Sequence, residues 1–375
     1  MTNKELFYFT GKCLTLNEHP GFGQEIIKFC EADRIDWEHF VNLCSNHLVL
    51  PVIYLKFRSH GILEHLPEEL AEHLKEIYEL NVARNTHILK QLQHITEVLN
   101  SRNIFPVFLK GSGNLLDGLY SDIGERILGD IDFLVPENDY LMAGQLFEDE
   151  GYASVIPVQP HIDIAGLKHY PRLSNPDFAA SVEVHRIPVR ENYLKRYNSA
   201  IIDQEKKTVG SLQGCFVLSE NHKIIHNFIH SQLSNRGHVY GIISFRDLYD
   251  LYLLSKRSEI KQTLPYLESK SKAIAYFVFA GEAFGLSGKF YPKFNFSAWL
   301  LLKKHTLNLR SPVFYTFNRT TVYFEEQIFT KYIGQFLKAL YSKKMRQSLA
   351  KRMGSLHWYK THLDWYKGFF TQKHN

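Results

Sequence analysis

Apolar residues recur at two different periods along this chain. Trp37, Phe40, Val41 and Cys44 fall at spacings of three and four, as do Leu70, Leu74 and Ile77, so residues 1 to about 100 read as helices. Pro67 followed by Glu68 and Glu69 is a helix start. The helix it opens runs to Leu99, with a break expected near its middle. From about Ser101 to Gly210 the period shortens to two. Val107-Phe108-Leu109 and Ile131 to Val135 are short apolar runs on either side of a helical segment, the pattern of two strands flanking a helix. Tyr140 to Glu150 reads as a helix with Leu141, Leu146 and Phe147 inward, and short strands follow Gly151-Tyr152. From about Leu212 the helical period returns. Ser219 is a candidate N-cap, and His222, His226 and His230 share one face of the helix after it, a stripe that could bind zinc or nickel. Arg246 to Leu251 begins the next helix. The chain is therefore expected to be α+β, a small mixed-sheet core over residues 101–210 between helical regions over 1–100 and 211–375.

The chemistry concentrates where the two apolar runs end. Asp130 and Asp132 lie two apart on a strand, so both carboxylates point to one face while Ile131 and Phe133 point to the other. Two carboxylates this close repel unless a cation or a shared proton intervenes, and magnesium is the hard divalent ion carboxylates most often hold beside a nucleotide. After the first run, Gly111 and Ser112 make a turn through which backbone N–H groups can approach a phosphate, and a helix N-terminus there favours the same anion.

A Gly-Ser turn followed, after a spacer, by Asp-x-Asp between hydrophobic residues resembles the DNA polymerase β-like nucleotidyltransferase superfamily. Leu109-Lys110-Gly111, then Arg126, then Asp130-Ile131-Asp132-Phe133-Leu134-Val135 is most similar to its branch of uncharacterised bacterial nucleotidyltransferases. The resemblance implies a third carboxylate on a later strand, which Ser181-Val182-Glu183-Val184-His185 offers. It further implies that Asp130, Asp132 and Glu183 hold Mg²⁺ or Mn²⁺, and that Gly111 and Ser112, with Lys110 or Arg126, bind the phosphates of a nucleoside triphosphate. The acceptor, a small molecule, a protein or an RNA end, is not specified. Residues expected to reach the same cleft are Arg84 and Asn85, whose helix resembles an Asn-rich one in that branch; His169 and His185, which bracket Glu183 in an antiparallel hairpin; His230; and Asp247.

Composition adjusts this picture in three places. At 375 residues, 45% hydrophobic and 22% charged, the chain is an ordinary globular one of two or three domains. Met1 to Lys12 lacks the apolar run of a secretory signal, and Ala273 to Gly281 is too short to span a bilayer, which points to the cytoplasm. The four cysteines show no Cys-x-x-Cys spacing and read as buried thiols rather than a disulfide framework or zinc site.

Residues 331–375 carry ten lysines and arginines against the single acid Asp364, a net +9 in a chain of net +5. Interleaved Trp358, Tyr359, Trp365, Tyr366, Phe369 and Phe370 suit a nucleic-acid or membrane-surface contact. The favoured expectation is plainer: Tyr332, Ile333, Phe336, Leu337 and Leu340 form a buried stripe, with the lysines in water. Besides an active transferase, a catalytically silent, antitoxin-like or regulatory nucleotide- or partner-binding module and a nucleic-acid binder acting through this tail are the alternatives.

Overall fold

The computed structural model describes residues 1–156, 163–267, 269–327, 329, 333–356 and 359–360. Residues 1–311 form one compact unit and 312–375 a second.

The first unit opens with four short helices, α1 (Asn3–Leu14), α2 (Phe22–Glu31), α3 (Trp37–Asn46) and α4 (Leu50–Ser59). The first is started by a capping box in which Thr2 and Glu5 satisfy each other's backbone N–H groups. The long helix α5 follows, and it runs unbroken from Glu68 to Asn100, so the break expected in its middle is absent. No proline or glycine interrupts those 33 residues, and its apolar positions stay in phase to the end.

Seven strands form one mixed sheet in the order β3-β4-β5-β2-β1-β7-β6. They are β1 (Val107–Phe108), β2 (Asp130–Leu134), β3 (Ala153–Ser154), β4 (Leu173–Ser174), β5 (Ser181–His185), β6 (Lys207–Val209) and β7 (Leu212–Val217). Helix α6 (Lys110–Leu116) links β1 to β2, which pair antiparallel, so the anticipated strand–helix–strand unit is present. One face of the sheet carries Ile131, Phe133, Val182 and Val184, packed on Ile88, Leu92 and Ile95 of α5 and Phe147 of α7 (Tyr140–Asp149). In α7 the inward side is Tyr140, Ala143, Gly144 and Phe147, with Leu146 half-buried against the same core; of the three residues expected inward Leu141 alone is exposed, because Tyr140 beside it takes the inward position. The acids stand on the opposite face of the sheet.

Beyond the sheet come α8 (Ser199–Glu205), α9 (Glu220–Phe228), α10 (Gly237–Tyr240), α11 (Phe245–Ser255), α12 (Lys270–Ala283) and α13 (Phe296–Arg310). A wide π-helical turn, Ile229–Ser234, extends α9. These helices share a hydrophobic core with α1 to α4, in which Phe7 stacks on Phe245 at 4.3 Å between ring centres. The two ends are also tied by charge: Glu18 accepts from Lys289 and Tyr252 and pairs with Lys256. Chiefly through Lys289, these partners lower the Glu18 pKa to about 2. The native state then binds the proton less readily than the unfolded chain. Glu18 therefore adds stability above about pH 4.5 that fades as the pH falls toward 2. Since both lysines are more than a third exposed, the contribution is at most about 1 kcal/mol. Glu18→Gln should lower the midpoint of thermal unfolding at pH 7, lower it less at pH 3 and leave it nearly unchanged at pH 2.

Candidate active site

The sheet register assembles the site. Strands β2 and β5 run parallel with Asp132 opposite Glu183 and Leu134 opposite His185. Asp130 and Asp132 share a face of β2, Glu183 and His185 share a face of β5, and adjacent paired residues point the same way. The result is a buried cluster in which ligand atoms of Asp132, Glu183 and His185 lie within 4.8 Å of one another. His185 Nε2 is 2.8 Å from Asp132 Oδ1 and 3.5 Å from Glu183 Oε2.

Cations already sit on these acids. Lys110 Nζ donates to Asp132 Oδ1 at 2.5 Å. Arg172 bridges the other two, donating from Nη2 to Asp130 Oδ2 at 2.9 Å and to Glu183 Oε1 at 2.6 Å, and from Nε to Glu183 Oε1 at 3.0 Å. Burial works against ionisation of Asp132, but Lys110 and His185 outweigh it and hold the carboxyl well below its usual range. Burial likewise opposes ionisation of Glu183, and its hydrogen bonds, with His185 first, bring it down to about 2. Asp130 behaves oppositely: burial and the Asp132 charge raise its pKa. Lys110 holds a left-handed backbone (φ 50°), which costs a non-glycine residue of order 1 kcal/mol, and does so at the point where its ammonium meets Asp132.

Gly111 and Ser112 lie in the first turn of α6. Gly111 lines the cleft, and a Cβ there would come within 2.3 Å of a terminal methyl of Leu128, so a larger residue would have to push that side chain aside. Ser112 is buried, its hydroxyl donating to Leu109 O at 2.8 Å. The cleft, about 160 Å³, runs from Lys110, Gly111, Asp130 and Asp132 to a helical wall of Lys223, His226, Asn227, His230, Arg246 and Asp247. Glu183 does not line it; β5 lies on the far side of β2 from β1, so Glu183 flanks Asp132 from the opposite direction.

The other candidates divide. His169 pairs across the hairpin with His185, and its Nε2 is 3.9 Å from Glu183. Burial, with Lys110 nearby, pushes His230 down to about 4, so it presents a neutral imidazole to the cleft. The histidine stripe does not converge on a metal: His222 is buried against Glu205, His226 and His230 have ring centres 6.5 Å apart, and among the described residues the only group of metal-capable side chains is the one at Asp132. Arg84 and Asn85 do not line the cleft. With Asn81 they clamp the loop leading into β2, donating to the carbonyls of Leu128, Ile123, Arg126 and Gly124. Arg126 lines the cleft but gives Nε and Nη2 to Asp250, both at 3.0 Å, and Nη1 to Ile127 O.

Two partners were missed by sequence reasoning. Arg172 was readable in principle: the antiparallel register Leu173 to Val182 places the preceding residue opposite Glu183. Asp250 gave a weaker signal, an acid inside the otherwise apolar run Leu248 to Leu254, where a buried charge requires a partner.

A carboxylate cluster on paired strands, a glycine-bearing turn and a cleft lined by lysine and arginine define a site suited to handling phosphates and a hard cation. Residues 33–292 match a family described as uncharacterised nucleotidyltransferase, and the chain belongs to that family. No curated protein and no solved structure gives a significant match.

Proposed function

We propose that this protein moves a nucleoside monophosphate from a nucleoside triphosphate to an acceptor hydroxyl or phosphate, in a site of the DNA polymerase β type with Asp130, Asp132 and Glu183 as its carboxylates. The observation that carries the reading is the register of β2 on β5, which brings Asp132 and Glu183 side by side beneath Lys110. The donor set fits a hard divalent ion, since the carboxylates of Asp132 and Glu183 converge with His185, which steadies Asp132, and Asp130 stands two residues away on the same face of β2. Mg²⁺ or Mn²⁺ held there would neutralise phosphate charge and lower the pKa of an acceptor hydroxyl.

The chain's own groups do the rest. Gly111 lets a phosphate approach the backbone, and Lys110, its neighbour in the chain and also at the cleft, supplies a cation beside it. In this reading Glu183, on the flank away from the cleft and with His169 Nε2 3.9 Å from its Oε2, takes the acceptor's proton. In this reading the helical wall carrying His226, His230 and Asp247, which lines the same cleft, meets the remainder of the nucleotide. The test is a panel of α-³²P-labelled ATP, GTP, CTP and UTP with Mg²⁺ or Mn²⁺, beside the Asp130→Asn/Asp132→Asn double variant. Label reaching the protein or a lysate component, and lost in the variant, supports the reading. Silence with all four, together with no metal-dependent nucleotide binding, moves it to a silent binding module.

Arg172 makes a separate prediction. Its guanidinium bridges the carboxylates a divalent ion would use, and its side chain is 47% exposed, free to leave. Arg172→Gln should tighten Mn²⁺ binding by about fivefold or more, because a competing cation is removed; titration followed by Mn²⁺ electron paramagnetic resonance measures this. Unchanged or weaker binding would show that the arginine organises the acids rather than competing for them.

A further inference from the structure

The second unit lies beyond the family match, and its chemistry differs from that of the catalytic core. Helices α14 (Pro312–Gln327), α15 (Gly334–Tyr341) and α16 (Lys343–Met353) are described there. The stripe expected to be buried is not: Ile333, Phe336, Leu337 and Leu340 are exposed, Phe336 at 65%, while Ala339 on the other side of α15 is buried. Periodicity identified one apolar face correctly but could not say what lies against it; α15 turns its small residue inward and its large ones outward. Trp358, Trp365, Tyr366, Phe369 and Phe370 lie outside the described residues; Tyr332 does too.

Spacings of three and four place Ile333, Phe336, Leu337, Leu340 and Tyr341 on a single face of α15. Met353 and Leu356 are exposed at the far end of α16. From 333 to 356 the sequence holds six basic residues, Lys338, Lys343, Lys344, Arg346, Lys351 and Arg352, and no acid. Arg346 caps the carbonyls of Ala339 and Leu340, and Arg352 donates to Gln335, which join α16 to α15. Lys338, Lys343 and Lys351 are exposed.

We propose that this face docks on an anionic lipid surface. Charge selects the partner, since a run with six cations and no acid is attracted to negative headgroups. The apolar residues distinguish lipid from nucleic acid. Ile333, Leu337, Leu340, Met353 and Leu356 are aliphatic groups that gain by entering an acyl boundary, and they outnumber the two exposed aromatics beside them, Phe336 and Tyr341, on which a base could stack. No described helix is long and apolar enough to cross a membrane, so the contact lies on the surface. It would hold the nucleotidyltransferase at a bilayer.

The experiment uses the full chain with sedimenting vesicles of phosphatidylcholine alone or with 30% phosphatidylglycerol. Binding is expected only to the anionic vesicles, reduced at least tenfold by Lys338→Glu/Lys343→Glu/Lys351→Glu and by raised salt. Phe336→Trp should show a blue-shifted emission when those vesicles are added. Leu340→Asp should weaken binding without altering the circular dichroism or thermal melting of the protein. Failure to bind either vesicle would overturn the proposal, as would equal binding to both or indifference to charge reversal. Salt-sensitive binding of a single-stranded RNA probe without vesicle binding would assign the face to nucleic acid instead. None of these readouts depends on nucleotide turnover, so the outcome is independent of the proposed catalysis.

Discussion

Asp132→Asn should lower nucleotidyl transfer by at least about a thousandfold and Mn²⁺ affinity by at least about a hundredfold. The second figure follows from outer-shell partners, whose loss alone costs 10–100-fold; removing the ligand charge itself should cost no less. The first follows because positioning and charge stabilisation supply most of the catalysis in phosphoryl chemistry, and the proposed mechanism ties both to this carboxylate. Stability changes too. The Asp132 side chain is 2% exposed and holds both Lys110 and His185, and breaking a buried ion pair costs about 3–5 kcal/mol, with the asparagine amide recovering part of the hydrogen bonding.

Asp130→Asn separates the two effects. Its side chain is 28% exposed and, among the described residues, hydrogen-bonded only to the half-exposed Arg172, so unfolding free energy should move by about 1 kcal/mol or less while transfer falls as steeply. Radiolabel transfer, Mn²⁺ titration and urea unfolding on both variants check the pattern. A Asp130→Asn protein with full activity would remove this carboxylate from the proposed mechanism.

Why the strands were legible and their surroundings were not has a local explanation. The alternation Asp130-Ile131-Asp132-Phe133 states which side of β2 is buried, because a strand has a period of two and the alternatives differ by a whole face. The same logic, applied to β4 and β5, would have found Arg172. The polar face of α5 was harder. Asn81, Arg84 and Asn85 look like a solvated stripe, yet they satisfy the carbonyls of a loop some forty residues later. Nothing near them in sequence reports that partner. Polar residues at helical spacing show that a face is not packed in apolar side chains, and do not distinguish water from a buried backbone. The exposed stripe of α15 is the converse case, since amphipathicity establishes a face without naming its solvent.

Arg126 and Asp250 give the second large effect. Both side chains are under 10% exposed, and Asp250 accepts the Tyr120 hydroxyl at 2.9 Å as well as the guanidinium. Asp250→Ala strands a buried arginine and a phenol together, and should destabilise the protein by about 3–5 kcal/mol in urea unfolding. The double variant Arg126→Met/Asp250→Leu removes both charges in similar volume and should recover most of that loss. Nucleotide affinity then decides what the arginine is for. If its charge serves only to join the loop before β2 to α11, the double variant binds nucleotide as the native protein does once refolded stability is matched. If the triphosphate draws on the guanidinium at the cleft edge, affinity falls even though stability has returned. The geometry favours the first outcome, since Nε and Nη2 serve Asp250 and Nη1 serves Ile127, so the proposed phosphate contact on the sheet side of the cleft falls to Lys110, whose ammonium is held there by Asp132.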